Sequence, residues 1–174
     1  WFVSNALIAC LNGIVASMVS LAILPYFESL FGITTRQTLL VFSNLNHPLL
    51  KQLMVSAPGT YQHSVMVANL AVAGAEVVNG ADPVLCGVGA YFHDFCKMKR
   101  PNFFTENQLS GHNPHEELTP RMSKMIISSH VKDGVELAIK HRLPSAVKQI
   151  IWQHHGTSLV SFFYIQALHA ASGK

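Results

Sequence analysis

The sequence predicts an all-α protein in two parts, an apolar helix at the amino-terminal end and a helical domain after it. Three observations carry this. Trp1 through Phe27 contains no charged residue, and about 20 such residues suffice to cross a bilayer as a helix. Later segments repeat apolar residues at helical spacing and open on Asp-Pro, Thr-Pro or Pro, which are helix-start signals. No run alternates with strand period, so the soluble part reads as all-α. A length of 174 residues accommodates one domain with a real core rather than two.

The elements follow in order. The first span is interrupted only by small or mildly polar residues such as Asn5, Asn12, Gly13 and Ser17, while Trp1, Tyr26 and Phe27 stand where interfacial aromatics would. A secretory signal peptide fits poorly, because no basic segment leads and no small-residue cleavage pattern follows. Thr34 or Thr35 caps a short helix through about Phe42, and Asn46 caps a second carrying Leu49, Leu50, Leu53 and Met54. Ala57-Pro58-Gly59 breaks that helix, and a longer one is expected from Thr60 to about Val78 with His63 in its first turn. Asp82-Pro83 opens the helix expected to carry His93 and Asp94, because the Asp oxygen accepts from free amides and Pro tolerates the first helical position. Asn102 to Leu118 is polar, contains Gly111 and Pro114, and reads as a long surface loop covering a pocket. Thr119-Pro120 starts a helix to about His130, Asp133 another to about His141, and Pro144 one more that delivers His154 and His155 before Gly156. Phe162 to Ala171 closes the series as a helix.

Composition excludes several classes. A formal charge of +3 with scattered Lys and Arg is no phosphate-tracking surface, and aromatic and basic residues do not interleave as they do in a base-stacking platform, so nucleic acid is not expected as a partner. Cys10, Cys86 and Cys96 have no paired spacing, which favours a reducing compartment and hence a cytoplasmic soluble part.

The chemistry lies in His93-Asp94 and His154-His155. Imidazole and carboxylate are ligands that borderline divalent metals prefer. Ten His in this chain make either doublet alone weak, since a chance His-Asp pair is expected about 0.2 times; requiring Lys97 three residues after Asp94 lowers that to roughly 0.01. The candidate ligands of a two-metal centre are His63, His93, Asp94, His130, His154 and His155. No short zinc-finger spacing links them, so they must converge through packing. Asp94 is the natural bridge, because a carboxylate offers two oxygens to two cations where a neutral imidazole offers one lone pair. Taken singly, each has a plainer account: His63 and His130 as capping or partly exposed residues, His154-His155 as a polar helix end favoured by the dipole, and Lys97 as a terminal helix charge. Cys96, two residues from Asp94 on a helix, points away and packs; His47, His112, His115, His141 and His169 stand outside the proposal in loops or exposed helix ends.

Five blocks in this order resemble the seven-transmembrane HD family of bacterial cyclic-di-AMP phosphodiesterases. They are Leu45-Asn46-His47-Pro48-Leu49-Leu50, Ala57-Pro58-Gly59-Thr60-Tyr61 with His63-Ser64, His93-Asp94 with Lys97, Ser129-His130-Val131-Lys132-Asp133-Gly134, and Gln153-His154-His155-Gly156-Thr157. The resemblance covers nearly the whole chain. It implies an HD-domain helical bundle preceded by one transmembrane helix: residues 1–27 as the last membrane helix, and residues 28–174 as a cytoplasmic phosphohydrolase domain. It further implies two divalent ions, iron or manganese, with His63, His93 and Asp94 on one and Asp94, His130, His154 and His155 on the other. Lys97 would face substrate phosphate and act with Asp94 in catalysis.

Cys96 stands where the family motif usually has Gly, and no Asp or Glu follows Glu136 to supply the family's final metal-binding Asp. The domain is therefore expected to be cut short at its carboxy-terminal end. Two ions side by side activate water and stabilise both the entering and the leaving oxygen of an in-line displacement, and the implied reaction opens cyclic di-AMP to linear pApA. Two alternatives stay open: another HD-type nucleotide phosphohydrolase, or a nucleotide-sensing module without turnover. The residues also leave a homodimer open.

Overall fold

Helices account for all the regular structure of the described residues, and strands are absent among them. The computed structural model describes residues 1–108 and 111–173, with Ser29 described by its backbone alone. The chain divides into two units, Trp1–Thr35 and Arg36–Lys174.

The first unit is helix α1, Phe2–Phe31. Its stretch Phe2–Glu28 is long and apolar enough to cross a membrane by length and composition. Side chains such as Leu7, Ile8, Leu11 and Ile14 are exposed. The hydroxyls of Ser17 and Ser20 donate back to the carbonyls of Gly13 at 2.8 Å and Ala16 at 2.9 Å, which satisfies them without water. The helix stops at Gly32, whose left-handed backbone (φ 63°) ends it, its amide donating a hydrogen bond to the Glu28 carbonyl.

The second unit is built from α2 (Arg36–Phe42), α3 (Pro48–Ser56), α4 (Pro58–Glu76), α5 (Pro83–Phe92), α6 (Pro120–Lys140), α7 (Ser145–Gln153) and α8 (Ser161–Ser172). Its centre is α5, which packs on α4, α7 and α2. Phe92 is fully buried and meets Phe42, His47 and Phe95 edge to face, an arrangement aromatic quadrupoles favour. Leu50, Leu53, Val88, Val147 and Ile151 complete the same core.

Several boundaries differ from the sequence expectations, each for a local reason. His47, not Asn46, caps α3, its Nδ1 accepting from the Leu49 amide at 3.3 Å. Helix α4 begins at Pro58 rather than Thr60, since a Pro at the first helical position loses no needed amide; Ala57 both ends α3 and begins α4. Asp82 caps α5 as expected, accepting from Val84 and Leu85. However, α5 ends at Phe92, His93 follows as its cap, and Phe95–Lys99 turns into a tight 3-10 helix, so His93 and Asp94 do not lie within one α-helix. The stretch read as a surface loop contains three short 3-10 helices and buries Phe104 and Asn107; Leu109 and Ser110, within it, lie outside the described residues. Asp133 does not start a new helix: α6 runs unbroken from Pro120 to Lys140, and the carboxylate pairs with Lys99 at 3.2 Å instead.

Candidate metal centre

Four different elements deliver the histidines. His63 stands in the second turn of α4, His93 at the end of α5, His130 inside α6, and His154 and His155 just past α7. Asp94 follows His93 where the chain leaves α5, and its carboxylate is buried. The packing that brings α6 against this turn depends on Gly134. A Cβ there would meet Ile151 at 2.8 Å and the Cys96 sulfur at 3.3 Å. Cys96 is buried and its thiol donates to the His130 carbonyl at 2.8 Å, so the sulfur braces α6 and is turned away from the imidazoles. Burial first, then the charges of Asp94 and Asp133, push its pKa up to about 12.

The six candidate ligands converge in two groups that share Asp94: His63, His93 and Asp94 in one, and Asp94, His130, His154 and His155 in the other, with ligand atoms of each group within 4.8 Å of one another. Asp94 divides its oxygens between them. Oδ2 faces His93 Nε2 at 3.1 Å and His63 Nε2 at 4.0 Å. Oδ1 faces His130 Nε2 at 3.4 Å and His154 Nε2 at 3.5 Å. His155 Nε2 is 3.1 Å from His130 Nε2.

The tautomers of three imidazoles follow from one repeated contact. His93 Nδ1 lies 2.7 Å from the Ala90 carbonyl, His154 Nδ1 lies 2.8 Å from the Ile151 carbonyl, and His130 Nδ1 bonds the Ile127 carbonyl. A carbonyl only accepts, so each Nδ1 carries the proton and each neutral ring aims an Nε2 lone pair inward. Helical geometry sets this up, since each partner is three residues earlier on the same turn. Nε2 of His130 and His154, 3.3 Å apart, are then two acceptors facing each other and Asp94 Oδ1. That oxygen is buried with no hydrogen-bond donor.

A cluster of buried acceptors without donors calls for a cation. Donors about 2.0–2.2 Å from one ion, at angles between right and tetrahedral, stand roughly 2.8–3.6 Å apart. The separations of 3.1 to 3.5 Å linking Asp94, His130, His154 and His155 fall in that interval. The donor set therefore fits divalent metal. Burial raises the pKa of Asp94, but hydrogen bonding toward His154 and His93 and the charges at His93 and Lys97 outweigh it and hold the carboxyl well below the usual range. Burial lowers the pKa of His93, yet its bond to Asp94 prevails and raises it; a proton on Nε2 there stands in for a cation. Burial, the leading cause at both sites, lowers the pKa of His130 and His155, which keeps their lone pairs available.

Lys97 reaches the same place. Its Nζ is 2.8 Å from Asp94 Oδ2 and 2.9 Å from Glu106 Oε1, and 4.8 Å from the centre of the Phe104 ring. Burial lowers its pKa but the two carboxylates outweigh it and raise it. Glu106 and its neighbour Asn107 have no motif to mark them in the sequence; the only local signal is the aromatic pair Phe103-Phe104 in an otherwise polar stretch. The other five histidines stay outside both groups. His47 and His115 nevertheless do structural work, His47 as the α3 cap and His115 against Phe103 and Phe163.

A family model for the HD domain matches residues 60–169, which includes all six candidate ligands. The chain belongs to the HD domain family. Its relatives include the cyclic-di-AMP phosphodiesterase PgpH of Bacillus subtilis, 47% identical over 161 residues that make up 92% of this chain and 22% of that protein. PgpH of Listeria monocytogenes is 47% identical over 159 residues, 91% of this chain and again 22% of the relative. The chain thus spans about a fifth of the length of these curated relatives. The crystal structure of the HD domain of L. monocytogenes PgpH in complex with cyclic-di-AMP superposes with a TM-score of 0.70 at 50% identity, covering 73% of this chain and 59% of that one. A second structure of that HD domain gives a TM-score of 0.68 at 52% identity, covering 70% and 58%.

Proposed function

We propose that this HD domain is the catalytic part of a membrane-attached phosphodiesterase that hydrolyses cyclic di-AMP to linear pApA at a two-metal site. The observation that carries this reading is the division of the Asp94 carboxylate, with Oδ2 toward His63 and His93 and Oδ1 toward His130 and His154. PgpH relatives at 47% identity supply the substrate class, and an HD domain at 50% identity was crystallised with cyclic-di-AMP. The ions would be iron or manganese, as the resemblance to the seven-transmembrane HD family implies, and imidazole with carboxylate is compatible with both.

His63, His93 and Asp94 would hold one ion and Asp94, His130, His154 and His155 the other. When bound, such a pair supplies activated water and charge neutralisation for in-line displacement at phosphorus. The chain's own residues do the rest. The backbone carbonyls of Ala90, Ile127 and Ile151 fix three ligand rings before any ion arrives, which preorganises the site. Asp94, ionised, ties the two groups together. Lys97, beside Oδ2 and largely buried, offsets the charge that collects on a nonbridging phosphate oxygen, a role worth about a hundredfold in rate for a well-placed donor. Helix α1 would anchor the domain on the cytoplasmic side, a reducing compartment in which the thiols of Cys86 and Cys96 stay free.

The test uses the full chain purified with manganese or iron. The reading expects two ions per chain and conversion of cyclic di-AMP to pApA, with His93→Ala and Asp94→Ala abolishing turnover. Asp94→Ala should lose more metal than His130→Ala, and equal retention would refute bridging. Preferential cleavage of another nucleotide would make it a different HD phosphohydrolase. Tight binding without cleavage would make it a sensor.

A further inference from the structure

We propose that Glu106 is the positioning residue for Lys97, held for that purpose by Gly59, Thr60 and Asn107 at the start of the helix that carries His63; this rests on the phosphodiesterase reading above. A lysine ammonium sits on four rotatable carbons and finds no fixed geometry by itself. Here two carboxylates hold it from opposite partners, Asp94 Oδ2 at 2.8 Å and Glu106 Oε1 at 2.9 Å. They accept two of its three protons, and the third remains for a phosphate oxygen.

Glu106 is itself held by a directional chain of bonds. Thr60 Oγ1 donates to the same Oε1 at 3.1 Å. That hydroxyl accepts from Asn107 Nδ2 at 2.8 Å, and the Thr60 amide donates to Asn107 Oδ1 at 3.1 Å. Thr60 and Asn107 are both buried, so water does not compete with these bonds. Gly59 makes the approach possible: a Cβ at that position would lie 1.8 Å from the Glu106 carbonyl oxygen and 2.5 Å from its carbon. The obstacle is backbone, not a flexible tip, so any side chain at residue 59 must push the 104–107 segment away.

Two other roles fit worse. Glu106 belongs to neither ligand group, since its Oε1 already faces an ammonium and a hydroxyl. As a proton donor it would have to be neutral, but the Lys97 bond outweighs burial and lowers its pKa.

The experiment compares Glu106→Ala, Glu106→Gln and Gly59→Ala in the full chain, with and without Lys97→Ala. Glu106→Ala should lower kcat about 10- to 100-fold, as loss of a supporting partner does, with both ions retained and KM changed far less. Glu106→Gln keeps an acceptor for Lys97 and should recover most of that loss. Gly59→Ala should reproduce the loss although it removes no functional group. In the Lys97→Ala background, Glu106→Ala should cost less than about twofold, because a residue acting through Lys97 has nothing left to position. The same factor in both backgrounds would overturn the proposal. A crystal structure of Glu106→Ala decides it apart from turnover: displacement of Nζ from Asp94 supports positioning, and an unmoved Nζ refutes it. Failure of the parent chain to cleave cyclic di-AMP would instead remove the proposed activity, leaving that structural result to stand or fall alone.

Discussion

Replacing Asp94 by Asn tests the centre with almost no change of shape. The carboxylate is buried and 2.8 Å from Lys97 Nζ. Removing one partner of a buried pair costs about 3–5 kcal/mol, and the lower end applies because Lys97 keeps Glu106 at 2.9 Å. The amide nitrogen of Asn can turn to the Oδ1 side, where the Nε2 lone pairs of His130 and His154 lie 3.4 and 3.5 Å away. A hydrogen bond there returns about 1 kcal/mol, leaving a net loss of about 2 kcal/mol. For the unit Arg36–Lys174, an unfolding entropy of about 2.1 cal/mol/K per residue converts that to a Tm lower by about 7 °C. Metal should separate the two proteins much further. An ion present at a hundredfold excess over its Kd adds about 2.7 kcal/mol to the parent, about 9 °C by the same conversion. The variant, whose neutral amide cannot bridge two cations, should gain less than about a third of this. Calorimetry on the full chain, chelated and then titrated with manganese, reads both numbers. A variant that takes up two ions and gains as much as the parent would refute the argument that Asp94 joins the two groups.

Asp82→Ala removes the α5 cap, whose carboxylate accepts from Val84 and Leu85; it should cost about 1 kcal/mol and leave metal content unchanged, and loss of metal would show that α5 is less rigid than its packing implies. Cys96, with a thiol pushed up to about 12, is about one part in ten thousand thiolate at pH 8 and should resist iodoacetamide in the folded domain until denaturant exposes it; rapid labelling detected by mass spectrometry would contradict its bond to the His130 carbonyl. In the chelated domain, the lowered pKa values of His130 and His155 mean that the unfolded chain takes up protons first, so their contribution is intact above about pH 6.5 and falls on acidification. The raised pKa of His93 acts with the opposite sign, its contribution being full below about pH 6.5 and lost as pH rises through the folded value. His93→Gln should therefore steepen the loss of stability between pH 7.5 and 5.5 in urea titrations, and a shallower profile would be the wrong outcome.

The six candidate ligands could be picked out in the sequence because metal chemistry restricts residue type, and the fold brings them into two groups. His-Asp and His-His pairs are conspicuous as letters, and the helical spacing around His63, His130 and His154 already placed each on its own element. The boundaries were harder, because one side chain serves two purposes with the same local signature. Asp82 and Asp133 both precede apolar residues at helical spacing; Asp82 caps α5, while Asp133 lies inside α6 and faces Lys99. The partner Asp133 takes, a lysine 34 residues away, is not visible in the local sequence. The same holds for the end of α5. Nothing in His93-Asp94-Phe95 stops a helix, but Phe95 must enter the core beside Phe92, and the tighter 3-10 turn that follows directs Lys97 back onto Asp94.

Glu106 shows where such reading ends, and why. Its position depends on what Gly59 lacks, on a hydroxyl at Thr60 and on the amide of Asn107, contacts that span 46 and 47 residues. In the sequence, Ala57-Pro58-Gly59 reads as a helix breaker. In the fold, Pro58 starts α4 and Gly59 provides the bare surface against which the Glu106 backbone rests. Candidate ion ligands need only residue type and convergence, so chemistry points to them early. The charge balance around Lys97 needs a close backbone contact as well, and a close contact is a property of the folded chain. A substitution at Gly59 should therefore perturb turnover while leaving all six ligands in place, which separates the residues that would bind metal from those that would aim the lysine.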